Sequence, residues 1–141
     1  LPAETRVVAC EFWEETCLGA YTGRISLTLA PRTARILLIQ RQPSRPQLIA
    51  TNMHVLGGYH EVKRLTWDAA EQVLAGQYER AAGLTGKAFL YVPDGYRPRP
   101  AADSNRGVVR LTPVADKVWA QEVQFQDARL DWSVEFERTT P

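Results

Sequence analysis

The aromatic side chains are the residues best suited to binding a ligand. The chain has four tryptophans and five tyrosines, and the flat apolar face of such a ring can stack on a sugar ring while polar neighbours bond the hydroxyls. Trp13 ends a predicted strand, and Tyr59 and Tyr96 lie in predicted loops. We therefore predict Trp13, Tyr59 and Tyr96 as candidate carbohydrate contacts. Bracing of loops against a sheet is the alternative role of the two tyrosines.

Local signatures of catalysis are missing from the sequence. It contains no GxSxG, HExxH, Walker or GxGxxG motif, which are the patterns that position a nucleophile, a zinc ion or a phosphate. Glu135 and Asp131 alternate with apolar residues on a predicted strand, and Asp68 and Asp94 lie in predicted turns, so solvated surface is the favoured interpretation. We predict no catalytic residue and no enzymatic activity of this chain alone.

Two histidines and two cysteines are the candidates for metal binding. His54 and His60 flank the Gly57-Gly58 turn and would approach each other if the chain reverses there, although histidines bonded to backbone are the favoured interpretation. Cys10 and Cys17 are seven residues apart; a tight hairpin could bridge them, but we favour two unpaired buried thiols. Neither spacing is that of a zinc finger. We predict no metal and no cofactor.

Alternation of apolar and polar residues predicts half-buried strands over most of the chain. Residues 25–29 and 130–136 alternate most regularly. The run at 34–39 is apolar on both faces, which predicts a central strand that is covered on both sides. Further strands are predicted at 5–13, at 87–92 and at 118–125, the last with a slip near Gln121 that suggests a β-bulge.

These strands predict an all-β fold, an antiparallel β-sandwich of Greek-key or jelly-roll type. Residues 67–80 have a partial helical period, but Gly76 interrupts it and we prefer a hairpin. The length of 141 residues suits a single module, 1–141. The proline-rich residues 43–46 mark a possible seam between an N-terminal three-strand piece and the main sandwich.

The charge balance argues against nucleic acid and membranes as partners. The chain has 17 basic and 16 acidic residues, a net charge of +1, so it has no strong overall field to attract phosphates. No apolar run approaches the roughly 20 residues of a membrane helix. We expect a soluble globular domain.

The first seventy residues resemble the C-terminal end of α-galactosidase-like (melibiase) glycoside hydrolases. Glu11-Phe12-Trp13-Glu14 followed by Leu18-Gly19 is similar to a DFWE…LG segment of that family, and the apolar runs at 26–29 and 34–41 follow it here. Glu11 stands where the family has aspartate.

A second stretch carries the same resemblance. Residues 45–54 (RPQLIATNMH), the pair Gly57-Gly58 and residues 62–68 resemble a run in the C-terminal regions of these enzymes. The likeness ends there, and the remainder of the chain matches only in its strand-and-turn character.

The resemblance implies an antiparallel β-sandwich that follows a catalytic barrel. The catalytic carboxylates of the family lie on the barrel, so none is assigned here. The expected function is a non-catalytic accessory C-terminal domain, with the barrel of the same parent chain as its partner and glycan as a second candidate partner. An autonomous carbohydrate-binding module and a protein-docking sandwich are the alternatives. A secreted or periplasmic location is implied by the family alone.

Overall fold

The computed structural model describes residues 2–99 and 110–139. Within them, strands account for all the regular secondary structure: β1 (Arg6–Glu11), β2 (Thr16–Thr22), β3 (Leu37–Arg41), β4 (Gln47–Thr51), β5 (Val62–Asp68), β6 (Val73–Glu79), β7 (Thr85–Tyr91), β8 (Tyr96–Pro98), β9 (Arg110–Ala115), β10 (Val118–Gln124) and β11 (Arg129–Arg138).

The strands form three antiparallel sheets. We call them the N-terminal sheet, with strand order β2-β1-β3, the middle sheet, β4-β7-β10-β9, and the outer sheet, β5-β6-β11-β8. The middle and outer sheets pack face to face, and the N-terminal sheet packs on the opposite face of the middle sheet. The prediction of an all-β antiparallel sandwich is confirmed.

The middle and outer sheets enclose the larger apolar core. Its aromatic centre is Tyr78 on β6, which stacks on Trp132 of β11 with ring centroids 5.1 Å apart. The middle sheet completes this core with alternate residues of its strands, which include Leu48, Ala88, Leu90 and Val123. The predicted placement of Trp132 in the core is confirmed, as is the predicted strand at 130–136.

A second apolar cluster lies between the middle and N-terminal sheets. Val8 and Cys10 of β1 pack there on the residues of the middle strands that point away from the larger core: Ile49, Ala50, Phe89, Tyr91, Val118 and Ala120. Successive side chains of a strand point to opposite faces, so the middle sheet is buried on both sides. Residues 42–46 connect β3 to β4, and the predicted seam lies in this connection.

Burial on both faces explains the irregular pattern of β10. Ala120 points into the second cluster and Gln121 into the larger core, so both are buried. The pairing of β10 with β7 runs without a shift from Val118 to Gln124. The predicted bulge near Gln121 is wrong, and the shift that does occur lies between Val118 and Trp119, where β10 pairs with β9.

Two strand predictions in the N-terminal region are also wrong. Only residues 37–39 of the apolar run at 34–39 are in a strand, and that strand, β3, is at an edge of its sheet with Ile39 46% exposed. Residues 25–29 alternate as a strand does, but the structure gives them no strand partner among the described residues. Periodicity reports how side chains alternate and does not report whether a neighbouring strand is present.

The hairpin prediction at 67–80 is confirmed by β5 and β6, which pair from Asp68 and Val73. Asp68 fixes the turn because its Oδ1 accepts the backbone N–H groups of Ala70 and Glu71, at 2.9 and 3.1 Å. This is the local bonding by which aspartate favours turns. The predicted strands at 5–13 and 87–92 are confirmed by β1 and β7.

Cys10 and Cys17 form a disulfide, so the prediction of two free thiols is wrong. The two residues are directly opposite each other in the pairing of β1 with β2, and the sequence alone does not give that register. Cys10 is buried in the second cluster. The bond therefore ties the hairpin that covers the middle sheet.

Replacing both cysteines, Cys10→Ala with Cys17→Ala, should lower the free energy of unfolding by about 2–3 kcal/mol, because the short closed loop no longer restricts the unfolded chain. Urea denaturation under oxidising conditions measures the change. Dithiothreitol should lower the midpoint of the wild type and leave that of the double variant unchanged. A wild-type urea midpoint that is the same with and without dithiothreitol would contradict the prediction.

Candidate binding cleft

The turn between β1 and β2 is held in place by a buried carboxylate. Glu11 is 1% exposed; its two oxygens accept the backbone N–H groups of Glu14, inside the turn, and of Ile36, just before β3, the latter at 3.2 Å. The N–H of Phe12 donates to the carbonyl of Ile36 at 2.9 Å. A buried carboxylate is tolerated when it accepts such bonds, and here it fixes the turn against β3.

This turn presents Trp13 and Glu15. The indole of Trp13 is 60% exposed and contacts the ring of Phe12 edge to face at 5.0 Å. Glu15 has a φ of 50°, a left-handed conformation that closes the turn before β2. Its side chain reaches across to the middle sheet. The turn therefore holds an exposed aromatic ring two residues from an anionic group.

A cleft of about 430 Å³ lies where the N-terminal sheet stops covering the middle sheet. Lys87 is on the same side of β7 as the buried Phe89, and Glu122 is on the same side of β10 as the buried Ala120. Lys87 and Glu122 are also cross-strand partners. The lining is Glu15, Asn52, Thr85, Gly86, Lys87, Glu122, Val123 and Gln124.

An ion pair connects the turn to the sheet across this cleft. Lys87 Nζ donates to Glu15 Oε2 at 3.0 Å, and Asn52 Oδ1 accepts the backbone N–H of Lys87 at 2.7 Å. The hydrogen bond from Lys87 is the main cause that lowers the pKa of Glu15; the side chain of Asn52 lowers it further, and partial burial opposes both. Glu15 is thus an anion at neutral pH and a poor proton donor.

The cleft combines acceptors and donors that match hydroxyl groups. Carboxylates accept hydrogen bonds, the ammonium group of Lys87 donates, and the amides of Asn52 and Gln124 do both. Such convergent polar groups give orientation to a bound small molecule. Trp13 is two residues along the chain from Glu15, which lines the cleft.

The structure places the three predicted sugar contacts on three separate elements. Tyr59 is 81% exposed in the loop before β5, with its ring edge to face with His60 at 5.5 Å. It lines a shallow groove of about 330 Å³ beside β4 and β5. The ring contacts found for Trp13 and Tyr59 do not join the two. Their role as sugar contacts stays a prediction.

The prediction that Tyr96 lies in a loop is wrong: Tyr96 begins β8, is half-buried and packs against the larger core. The guanidinium of Arg138 lies over its ring at 4.2 Å, and Trp67 meets the ring edge to face at 5.8 Å. One face of the ring is therefore occupied by a cation. The prediction of a sugar contact at Tyr96 also remains untested, and bracing of the strand is the role these contacts support.

His54 and His60 do approach each other, with ring centroids 4.8 Å apart. His54 Nδ1 accepts the backbone N–H of Leu56 at 3.2 Å, which is the kind of bond expected for a hairpin histidine. In the part of the chain that the structure describes, no group of three or more His, Cys, Asp or Glu residues is placed to hold a metal ion. Over the same residues, no helix has the length and apolar character to cross a membrane.

The cleft residues were missed by sequence reasoning because they come from four separate segments. Glu15 follows a strand, Asn52 follows another, and Lys87 and Glu122 are 35 residues apart in the chain. A weak signal did exist: Lys87 is the one charged residue of β7 and Glu122 is the one charged residue of β10. Only the register of β7 with β10 shows that they are opposite each other.

No protein-family model, curated protein or solved structure matches the chain. The resemblance to α-galactosidase-like enzymes thus rests on the sequence motifs alone.

Lys87→Met should raise the pKa of Glu15 towards its ordinary value, because the hydrogen bond that favours the anion is lost. A side-chain carboxyl NMR titration measures it. Since folding lowers this pKa, the stabilisation is complete above the unfolded-state pKa and is lost as the pH falls through the folded-state pKa. The stability gap between wild type and variant should therefore close on acidification.

Lys63→Met is the matched control for that titration. Lys63 is a similarly exposed lysine that lies 4.0 Å from Glu79 and does not line the cleft. Its loss should leave the titration of Glu15 unchanged. Equal pKa values of Glu15 in wild type and Lys87→Met would contradict the assigned cause.

Proposed function

We propose that this chain is a non-catalytic accessory β-sandwich of a glycoside hydrolase and that it holds glycan at the cleft beside the β1–β2 turn. Trp13 stacks on a sugar ring, while Glu15, Lys87 and Glu122 bond the hydroxyl groups. The observation that carries the proposal is the exposed side chain of Trp13. It lies on a turn that the buried Glu11 carboxylate holds in place, two residues from Glu15 in the wall of the cleft.

Rigidity of the turn supports a binding role. A ring that is held in one position before binding loses little conformational freedom when a ligand stacks on it. The bonds from Glu11 to both the turn and the start of β3, together with the disulfide, restrain the hairpin that carries Trp13. An exposed tryptophan without such restraint would contribute less to affinity.

The composition of the cleft favours binding over catalysis. Glu15 is held as an anion by Lys87, whereas acid catalysis of glycoside hydrolysis needs a carboxyl with a raised pKa. The neighbouring groups are solvated charges and amides, which suit hydroxyl recognition.

The link to a glycoside hydrolase comes from the sequence resemblance. Its first motif, Glu11-Phe12-Trp13-Glu14, is the segment that builds the turn. Under this proposal the motif has one physical purpose: Glu11 fixes the loop and Trp13 meets the sugar. The barrel of a parent chain would supply the catalysis.

Trp13→Ala should weaken glycan binding at least tenfold, a loss of about 1.4 kcal/mol, because the stacking surface is removed. Affinity electrophoresis in galactomannan gels and titrations with raffinose and cellohexaose measure the retention and the dissociation constants. Trp13→Phe should keep part of the affinity, and Lys87→Met should weaken binding without removing it.

Tyr59→Ala is the control, since it removes another exposed ring, one that lines the separate groove beside β4 and β5. Its binding should equal that of the wild type. Equal affinity of Trp13→Ala and wild type would contradict the proposal. So would the absence of wild-type binding to all three carbohydrates.

A further inference from the structure

The connection between β2 and β3 contains an exposed segment with the sequence of a strand. Ile25, Leu27 and Leu29 alternate with polar residues, and the segment 24–30 is unpaired. Leu27 is 41% and Leu29 55% exposed, while Ile25 is half-buried. Connections this long inside a compact domain are uncommon and are usually functional.

The backbone of this segment is free to pair. Flanking bonds run from Arg24 N–H to the Thr22 carbonyl at 2.9 Å and from Thr33 N–H to the Ala30 carbonyl at 3.2 Å. Among the described residues, the N–H and carbonyl groups of 25–29 make no backbone hydrogen bond. A segment with an open row of such groups can pair with an added strand.

An apolar groove of about 280 Å³ lies next to the segment, on the outer face of the N-terminal sheet. Ile25 lines it together with Val7, Tyr21 and Ile39. Val7 is opposite Tyr21 in the pairing of β1 with β2, so both side chains are on the same face. The groove offers an apolar surface for side chains of an added strand.

The charges that flank the segment determine which partner strand it would favour. Between residues 16 and 60 the sequence has five arginines and no aspartate, glutamate or lysine, although the whole chain is almost neutral. Arg24 and Arg32 stand at the two ends of the exposed segment. Neither forms an ion pair with a described carboxylate, whereas Arg35 pairs with Glu14 at 3.8 Å. The segment is therefore flanked by an arginine at each end and has apolar side chains between them.

We propose that the segment 24–30 and the adjoining groove bind an extended strand of a partner protein that has alternating apolar residues flanked by carboxylates. The backbone of 25–29 pairs with the added strand, Leu27 and Leu29 contact its apolar side chains, and Arg24 and Arg32 pair with its acidic ends. This surface shares no lining residue with the cleft that contains Glu15 and Lys87. The strand-binding proposal is therefore tested independently of the sugar proposal.

Fluorescent heptapeptides test the proposal. The probe has valine at positions 2, 4 and 6, threonine at 3 and 5, and glutamate at both ends; the comparison peptides have lysine ends, or serine in place of valine. Fluorescence anisotropy should give at least tenfold tighter binding of the glutamate–valine peptide than of either comparison. Amide hydrogen exchange of residues 25–29 should slow when it binds.

Charge-reversal variants make the test specific. Arg24→Glu with Arg32→Glu should reverse the preference, so that the lysine-ended peptide binds more tightly. Arg129→Glu, an exposed arginine at the start of β11, is the matched control and should keep the wild-type order. Leu27→Ser with Leu29→Ser should lose affinity with unchanged thermal unfolding, since both side chains are on the surface.

Three results would overturn the proposal. The first is no binding of the glutamate–valine peptide, or binding without slower exchange at 25–29. The second is equal binding of the serine peptide, which would indicate a general cationic surface. The third is slower exchange of 25–29 that grows with protein concentration in the absence of peptide, which would assign the segment to a second copy of this chain.

Discussion

The middle sheet must be apolar on both faces, and the other two sheets depend on this constraint. Phe89 points one way from β7 and Leu90 points the other, and both are buried. Leaving either face in water would expose large apolar side chains, each of which gains roughly 1.5–3 kcal/mol from burial. The outer sheet covers one face and the N-terminal sheet covers the other, so the three layers form around the same four strands.

A hydrogen bond inside the larger core restricts the position of the outer sheet relative to the middle sheet. The hydroxyl of Tyr78 on β6 donates to Gln121 Oε1 on β10 at 3.1 Å, which connects the outer and middle sheets directly. Burial, and then the charge of Glu61, raise the pKa of Tyr78 well above its ordinary value, so the hydroxyl stays a donor. Because a buried donor without an acceptor costs about 1–3 kcal/mol, a shift between the sheets that broke this bond would be disfavoured.

The sequence predicted strands correctly where one side of the alternation faces a core. The predictions were wrong where strand formation depends on the presence of a neighbouring strand. Residues 130–136 alternate and form part of β11 because β6 lies beside them. Residues 25–29 also alternate, but no strand among the described residues lies beside them. Residue pairs likewise depend on strand register, which the sequence does not show. Cys10 is opposite Cys17, and Lys87 is opposite Glu122, only in the register that the strands adopt. Trp13 was identified from its residue type, whereas the cleft lined by Lys87 and Glu122 could be identified only from the alignment of the strands.

The N-terminal sheet is where both proposed binding features lie, and its place in the fold explains why. The larger core between the middle and outer sheets is built by residues from β4 onward, so the N-terminal sheet contributes only through the second cluster. Its outer face points away from the second cluster, and its long connection contains the unpaired segment 24–30. The turn with Trp13 and the segment with Leu27 can therefore change in sequence without altering the sandwich, which is the arrangement expected of binding elements carried on a stable scaffold.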